Sequence, residues 1–193
     1  VSAAVLIPVK GFAGAKQRLA PALDGRQREW LARTLATHVL RQAAPLPVIV
    51  VCDDDAVAAW ATERGAAVAW TPGLGLNGAV QAAAARAAAD RVVVVHGDLP
   101  LAQPLAWLAE AAPDEAIVVP DRAADGTNAL SVPTGWGFSF GYGPASFERH
   151  VAEAQRCGLA VRVVRDEHLA LDIDHPDDLA LLPGWARPGD APA

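Results

Sequence analysis

Short runs rich in valine and isoleucine alternate with longer alanine-rich stretches, and this rhythm constrains the fold more than any other feature of the chain. The apolar runs at residues 4–9, 47–51, 66–70, 91–96 and 116–120 have the length and β-branched content of strands. Between them, residues 25–43, 55–65, 77–90 and 104–112 have helical character, with Asn77 as an N-cap and Gly65 and Asp90 at helix ends. The pattern βαβαβαβ implies mostly parallel strands joined by right-handed crossovers. Further on, residues 128–133, 160–166 and 169–174 read as strands and 146–158 as a helix closed by Gly158. Residues 176–182 read as a short helix with Pro176 first and Asp177 and Asp178 in its first turn. The expectation is a single α/β domain over residues 1–183, a mostly parallel mixed sheet flanked by helices, followed by a flexible Gly/Pro/Ala-rich tail over 184–193.

Composition narrows what such a domain can do. A formal net charge of −6 argues against a general nucleic-acid or anionic-membrane surface, which needs excess Lys and Arg. No apolar run approaches the ~20 residues of a membrane span, and the opening VSAAVLIPVK reads as a first strand rather than a leader, so a cytoplasmic protein is expected. Cys52 and Cys157 show neither a CxxC spacing nor a neighbouring His at ligand distance, and are read as ordinary thiols rather than a zinc site or a disulfide.

In an open α/β sheet, ligands gather where the parallel strands end. The four valines 92–95 stop at His96, Gly97 and Asp98, which places a carboxylate at the end of a central strand, suited either to a hard cation or to capping the next helix. After the first strand, PVKGFAGAKQRL carries Lys10, Lys16 and Arg18 among glycines, the content of a loop that neutralises a polyphosphate or of a solvated basic turn. TPGLGLNGAV supplies Gly75, Asn77 and Gly78 at a turn into a helix, open to an anion or a base ring, or simply a tight capped turn. In LDIDHPDDL, Asp172 and Asp174 alternate with Leu171 and Ile173, so in a strand both acids share a face; alternatively Asp174 caps the next helix.

Two sets of acids facing a basic glycine loop form the constellation that magnesium-dependent transfer to or from a nucleoside triphosphate requires. Thr127, Asn128, Gly143 and Ser146 look like the acceptor side, with an N-cap as the alternative for Ser146. His96 is read as a supporting residue, and His150 as a packing or helix-surface residue.

The blocks IPVKGFAGAKQRL, GLNGAV, HGDLPL, PDRAADGTNAL, YGPASFERH and LDIDHPDDL, in this order, resemble the guanylyltransferases of deazaflavin coenzyme (coenzyme F-420) biosynthesis. The resemblance implies a Rossmann-related nucleotidyltransferase domain of the glycosyltransferase-A-like type. It implies transfer of GMP from GTP to a small phosphorylated three-carbon acid with release of pyrophosphate. Phosphoenolpyruvate is favoured as acceptor, or 2-phospho-L-lactate, with 3-phosphoglycerate as the alternative. By resemblance Asp98, Asp172 and Asp174 hold magnesium, as two ions; Lys10, Lys16 and Arg18 bind the triphosphate; and Thr127, Gly143 and Ser146 hold the phospho-acid. Lys10 is included with the acids as catalytic, and Gly75, Asn77 and Gly78 with the GTP site. Ala145 stands where the family pattern has glycine. A molybdopterin-type nucleotidyltransferase and a non-catalytic nucleotide-binding regulatory domain are the rival readings, and oligomeric state, a homodimer included, is left open.

Overall fold

The computed structural model describes residues 2–187, and the expected α/β architecture is what forms. Its strands are β1 (Ala3–Pro8), β2 (Val48–Cys52), β3 (Ala67–Trp70), β4 (Arg91–Val95), β5 (Glu115–Pro120), β6 (Thr127–Pro133) and β7 (Ala160–Val163). They make one seven-stranded sheet in the order β3-β2-β1-β4-β6-β5-β7. Strands β3, β2, β1 and β4 run parallel, whereas β6 lies antiparallel between β4 and β5. The reversal matters for function, because the start of β6 then lies at the edge where β4 ends: Val95 pairs with Ala129.

Helices α1 (Gly25–Gln42), α2 (Asp55–Glu63), α3 (Gly75–Arg86), α4 (Ser146–Arg156) and the short α5 (Glu167–Ala170) cover the sheet. Alternate residues of the central strands serve opposite faces. Leu6, Val92, Val94 and Leu130 pack with Val80 and Ala83 of α3 and Ala154 of α4. Val5, Ile7, Val93 and Val95 pack with Val39 of α1 and with Leu99, Leu105 and Leu108. Each such side chain contributes roughly 1.5–3 kcal/mol on burial, which is why β4 carries valine on both faces from 92 to 95.

Local chemistry sets the helix starts. Asp24 caps α1 in a reciprocal box with Gln27, and Asp54 caps α2 by accepting from the Val57 amide. Gly65, at φ 76°, follows the last turn of α2 as expected.

Several expected elements take other forms. Residues 104–112 give only a 3-10 turn at Ala106–Ala109, and Pro176–Leu181 is 3-10 rather than α. The α3 helix starts at Gly75, so Asn77 lies inside its first turn and is not the cap, and it ends at Arg86 rather than Asp90. Residues 169–174 are not a strand: Asp166 accepts from the His168 and Leu169 amides and starts α5, after which 171–174 runs extended without joining the sheet. Of the segment expected to fray, Gly184–Ala186 forms a 3-10 turn with Ala186 fully buried, and residues 188–193 lie outside the described residues.

Candidate active site

A cavity of about 600 Å³ opens at the carboxyl edge of the parallel strands. Lys10, Lys16 and Arg18 line it from the loop after β1, Gly75 from the start of α3, and His96 and Asp98 from the exit of β4, while Asp174 arrives from the far end of the chain. The loop after β1 is close-fitted: a Cβ on Gly11 would come within 2.7 Å of Asp54 Oδ2, so any larger residue there would have to displace the side chain that caps α2. Leu19 at its end is buried with Leu171 and Ile173, and this shared apolar cluster brings the basic loop and the Asp172–Asp174 segment together.

Lys16 is the centre of the charge cluster. Its ammonium bridges Asp98 Oδ2 at 2.5 Å and Asp174 Oδ1 at 3.2 Å, and Arg18 reaches Asp174 Oδ2 at 3.2 Å. The Lys16 side chain is 10% exposed, and the residue is in the left-handed region at φ 53°, a conformation that costs a side chain roughly 1–2 kcal/mol. Burial opposes the charge on both Lys16 and Asp98, but their mutual attraction prevails, raising the ammonium above its usual range and holding the Asp98 carboxyl below its own. Asp172 goes the other way: burial and then the Asp98 and Asp174 charges push its carboxyl up.

Of the residues expected on the acceptor side, Thr127, Asn128 and Ser146 are buried and Gly143 is exposed, and none of the four lines the cavity wall. His150, fully buried on α4, accepts at Nε2 from the Gly141 amide at 3.0 Å, so its proton is on Nδ1, 3.0 Å from Thr127 Oγ1. Ser146 Oγ also lies 3.5 Å from Thr127 Oγ1. With His150 donating to Thr127, the threonine's own hydroxyl proton is directed elsewhere. Burial, followed by the Arg149 charge, lowers His150 to about 4, so the ring is neutral near pH 7. Tyr142 joins this group to the cavity: its ring is 4.7 Å from His150 and 5.2 Å from His96. Ser146 is the first residue of α4 and not its cap; that position belongs to Ala145, in the left-handed region at φ 56°. Gly143, at φ 116°, makes the turn before it.

Two expected ligand residues have other commitments. Asn77 spends its side-chain amide on the backbone of Tyr142, donating to its carbonyl and accepting from its N–H, and neither Asn77 nor Gly78 lines the cavity. Asn128 gives both side-chain hydrogens to the carbonyls of Leu169 and Ala170. Gln81 repeats the pattern of Asn77 one turn along α3, binding the backbone of Phe138 and Phe140. The sequence signal for this was present: amides at i and i+4 on a helix, and aromatic residues at 138, 140 and 142 alternating as in a strand.

Among the described residues, no three His, Cys, Asp or Glu side chains form a ready-made metal cage. The donor set nonetheless fits magnesium, which uses one or two carboxylates together with substrate phosphates and water. Asp98 Oδ1 is buried without a hydrogen-bond partner among the described residues, an oxygen that a hard cation would satisfy.

Comparison with known proteins places the chain among guanylyltransferases by sequence. Phosphoenolpyruvate guanylyltransferase of Rubrobacter xylanophilus is 38% identical over 192 residues, covering 94% of each chain. 2-Phospho-L-lactate guanylyltransferase of Methanothermobacter thermautotrophicus is 32% identical, covering 90% of this chain and 81% of its own. A solved nucleotidyl transferase, also from a Methanothermobacter, superposes with a TM-score of 0.70 at 15% identity, covering 93% of this chain and 95% of its own, which shows the shared fold. The profile of the family described as guanylyl transferase CofC like matches residues 3–183, from β1 through the Asp172–Asp174 segment, and the chain belongs to that family.

Proposed function

We propose that the protein transfers the guanylyl group of GTP to the phosphate of a small phosphorylated three-carbon acid, phosphoenolpyruvate in first place, releasing pyrophosphate, as a cytoplasmic step of deazaflavin coenzyme synthesis. The observation that carries this reading is the meeting of Lys16 with Asp98 and Asp174 at the cavity on the strand ends, in a chain of the guanylyl transferase family.

The triphosphate lies against Lys10, Lys16 and Arg18, whose charges hold it and take up the negative charge of the departing pyrophosphate. Magnesium, held by Asp98, Asp172 and Asp174, would neutralise the phosphates and stabilise the leaving group. An oxygen of the acceptor phosphate attacks the α-phosphorus of GTP in line; the new P–O bond forms as the bond to the β-bridging oxygen breaks. A phosphomonoester has its second pKa near ~6, so the attacking oxygen is already ionised and no strong base is required of the chain. The neutral His150 fixes the buried Thr127 by donating to its Oγ1, and catalysis is positioning together with electrostatics.

The test is pyrophosphate release by the purified protein with GTP and magnesium, run against phosphoenolpyruvate, 2-phospho-L-lactate and 3-phosphoglycerate, with mass detection of the guanosine product. Turnover with phosphoenolpyruvate well above the other two is expected. GTP binding without turnover on any acid would instead indicate a nucleotide-binding module.

A further inference from the structure

The Asp172–Asp174 segment has no strand neighbour to fix it. Leu171 and Ile173 are buried among leucines, but apolar packing is non-directional and tolerates sliding along the chain axis. Register must come from the hydrogen bonds at its two ends. Downstream, Asp178 Oδ2 accepts from the amides of Asp174 at 3.1 Å and His175 at 2.7 Å. Upstream, the Arg122 amide binds the Ala170 carbonyl at 2.9 Å, and the side chain of Asn128 binds the Leu169 and Ala170 carbonyls at 2.9 and 3.2 Å.

Asn128 also acts in the other direction. Its backbone carbonyl accepts from the His96 amide at 3.0 Å, continuing the β4–β6 ladder past the end of β4. One residue, 3% exposed, therefore holds the chain two residues before Asp98 and again two residues before Asp172. The two carboxylate-bearing segments lie far apart in the sequence, and Asn128 spans the distance between them.

We infer that Asn128 is a positioning residue for the metal-binding carboxylates, setting the separation of Asp98 from Asp172 and Asp174 rather than holding the acceptor acid. This rests on the reading of those three acids as the magnesium set. It follows that the side chain acts through Leu169 and Ala170: losing it leaves the upstream end of the segment held by the Arg122 amide alone and loosens the site while leaving Thr127 and His150 in place.

The experiment compares wild type, Asn128→Leu and Asn128→Ser for manganese binding to the protein–GTP complex by electron paramagnetic resonance, without acceptor, and for the KM of the phospho-acid. Asn128→Leu keeps the branched shape and removes both donors; Asn128→Ser keeps one and serves if the leucine variant does not fold. Weakening of manganese affinity by about tenfold or more, with the acceptor KM within about threefold, is expected, since outer-shell partners typically set that scale. Unchanged manganese binding with a raised acceptor KM would overturn the inference and make Asn128 an acceptor ligand. A lowered melting temperature alone would overturn it in favour of a merely structural role. Asp98→Asn is the control: if it leaves manganese binding intact, the metal reading itself has failed, whereas loss in Asp98→Asn with retention in Asn128→Leu rejects only the role of Asn128.

Discussion

Lys16 combines a buried charge with a strained backbone, and the two have one explanation. Its left-handed conformation turns the side chain from a surface loop into the space between Asp98 and Asp174, where its ammonium offsets acids that would otherwise repel each other. Lys16→Met is expected to lower the unfolding free energy by ~2–3 kcal/mol, less than full burial would give because Asp98 is partly exposed, and to abolish most turnover; urea titration and a pyrophosphate assay check both. Ala145 carries strain of the same kind with no charge to justify it. Ala145→Gly should raise stability by ~1 kcal/mol, measured by the urea midpoint at unchanged slope, and a fall would mean that the alanine methyl packs usefully.

At the scale of elements, the segments that complete the site are those least like regular secondary structure. Residues 138–142 place Phe138, Phe140 and Tyr142 in the core as a strand would, yet their backbone partners are the amides of Asn77 and Gln81 on α3. Asn77→Ala should cost ~1 kcal/mol of stability by removing two partly buried hydrogen bonds to the Tyr142 backbone, with the KM for GTP unchanged; a tenfold rise in that KM would return Asn77 to the nucleotide site. His150 ties α4 to the same loop and to β6. Its folded value of about 4 lies below the ordinary 6.5, so the unfolded chain takes up the proton first. The stability this buried neutral ring confers is complete above pH ~6.5 and is lost as pH falls toward ~4, by up to ~3 kcal/mol. His150→Gln should flatten that part of the stability curve in a pH series of denaturant titrations; an unchanged slope would assign it to the acids. Strands of β-branched residues between helix caps were legible in the sequence, as was the alternation that sets Asp172 and Asp174 apart from Leu171 and Ile173. That residues 169–174 are not a strand was hidden, because it depends on the Asp166 cap and on Asn128, a contact between residues far apart in the chain.

At the scale of the molecule, the antiparallel insertion of β6 between β4 and β5 makes the site possible. A purely parallel sheet would put the start of β6 at the opposite edge, away from the cavity; reversed, it delivers Thr127 and Asn128 beside His96. Composition and periodicity announced parallel crossovers but gave no direction for the sixth strand, since Thr127–Pro133 is buried along its whole length and reads the same either way. The basic loop and Asp98 were found from their positions after strands, and Asp174 was expected to face them; what required the fold is the contact itself, Lys16 and Arg18 both reaching the Asp174 carboxylate. On the proposed function, this convergence performs guanylyl transfer. The most direct test is magnesium-dependent pyrophosphate release from GTP and phosphoenolpyruvate by Asp98→Asn beside wild type, with circular dichroism to show that both fold. Loss of activity by about a hundredfold or more with the fold intact is predicted from the removal of a charge that acts on the reacting phosphates; full activity in Asp98→Asn would mean that this carboxylate takes no part in the transfer.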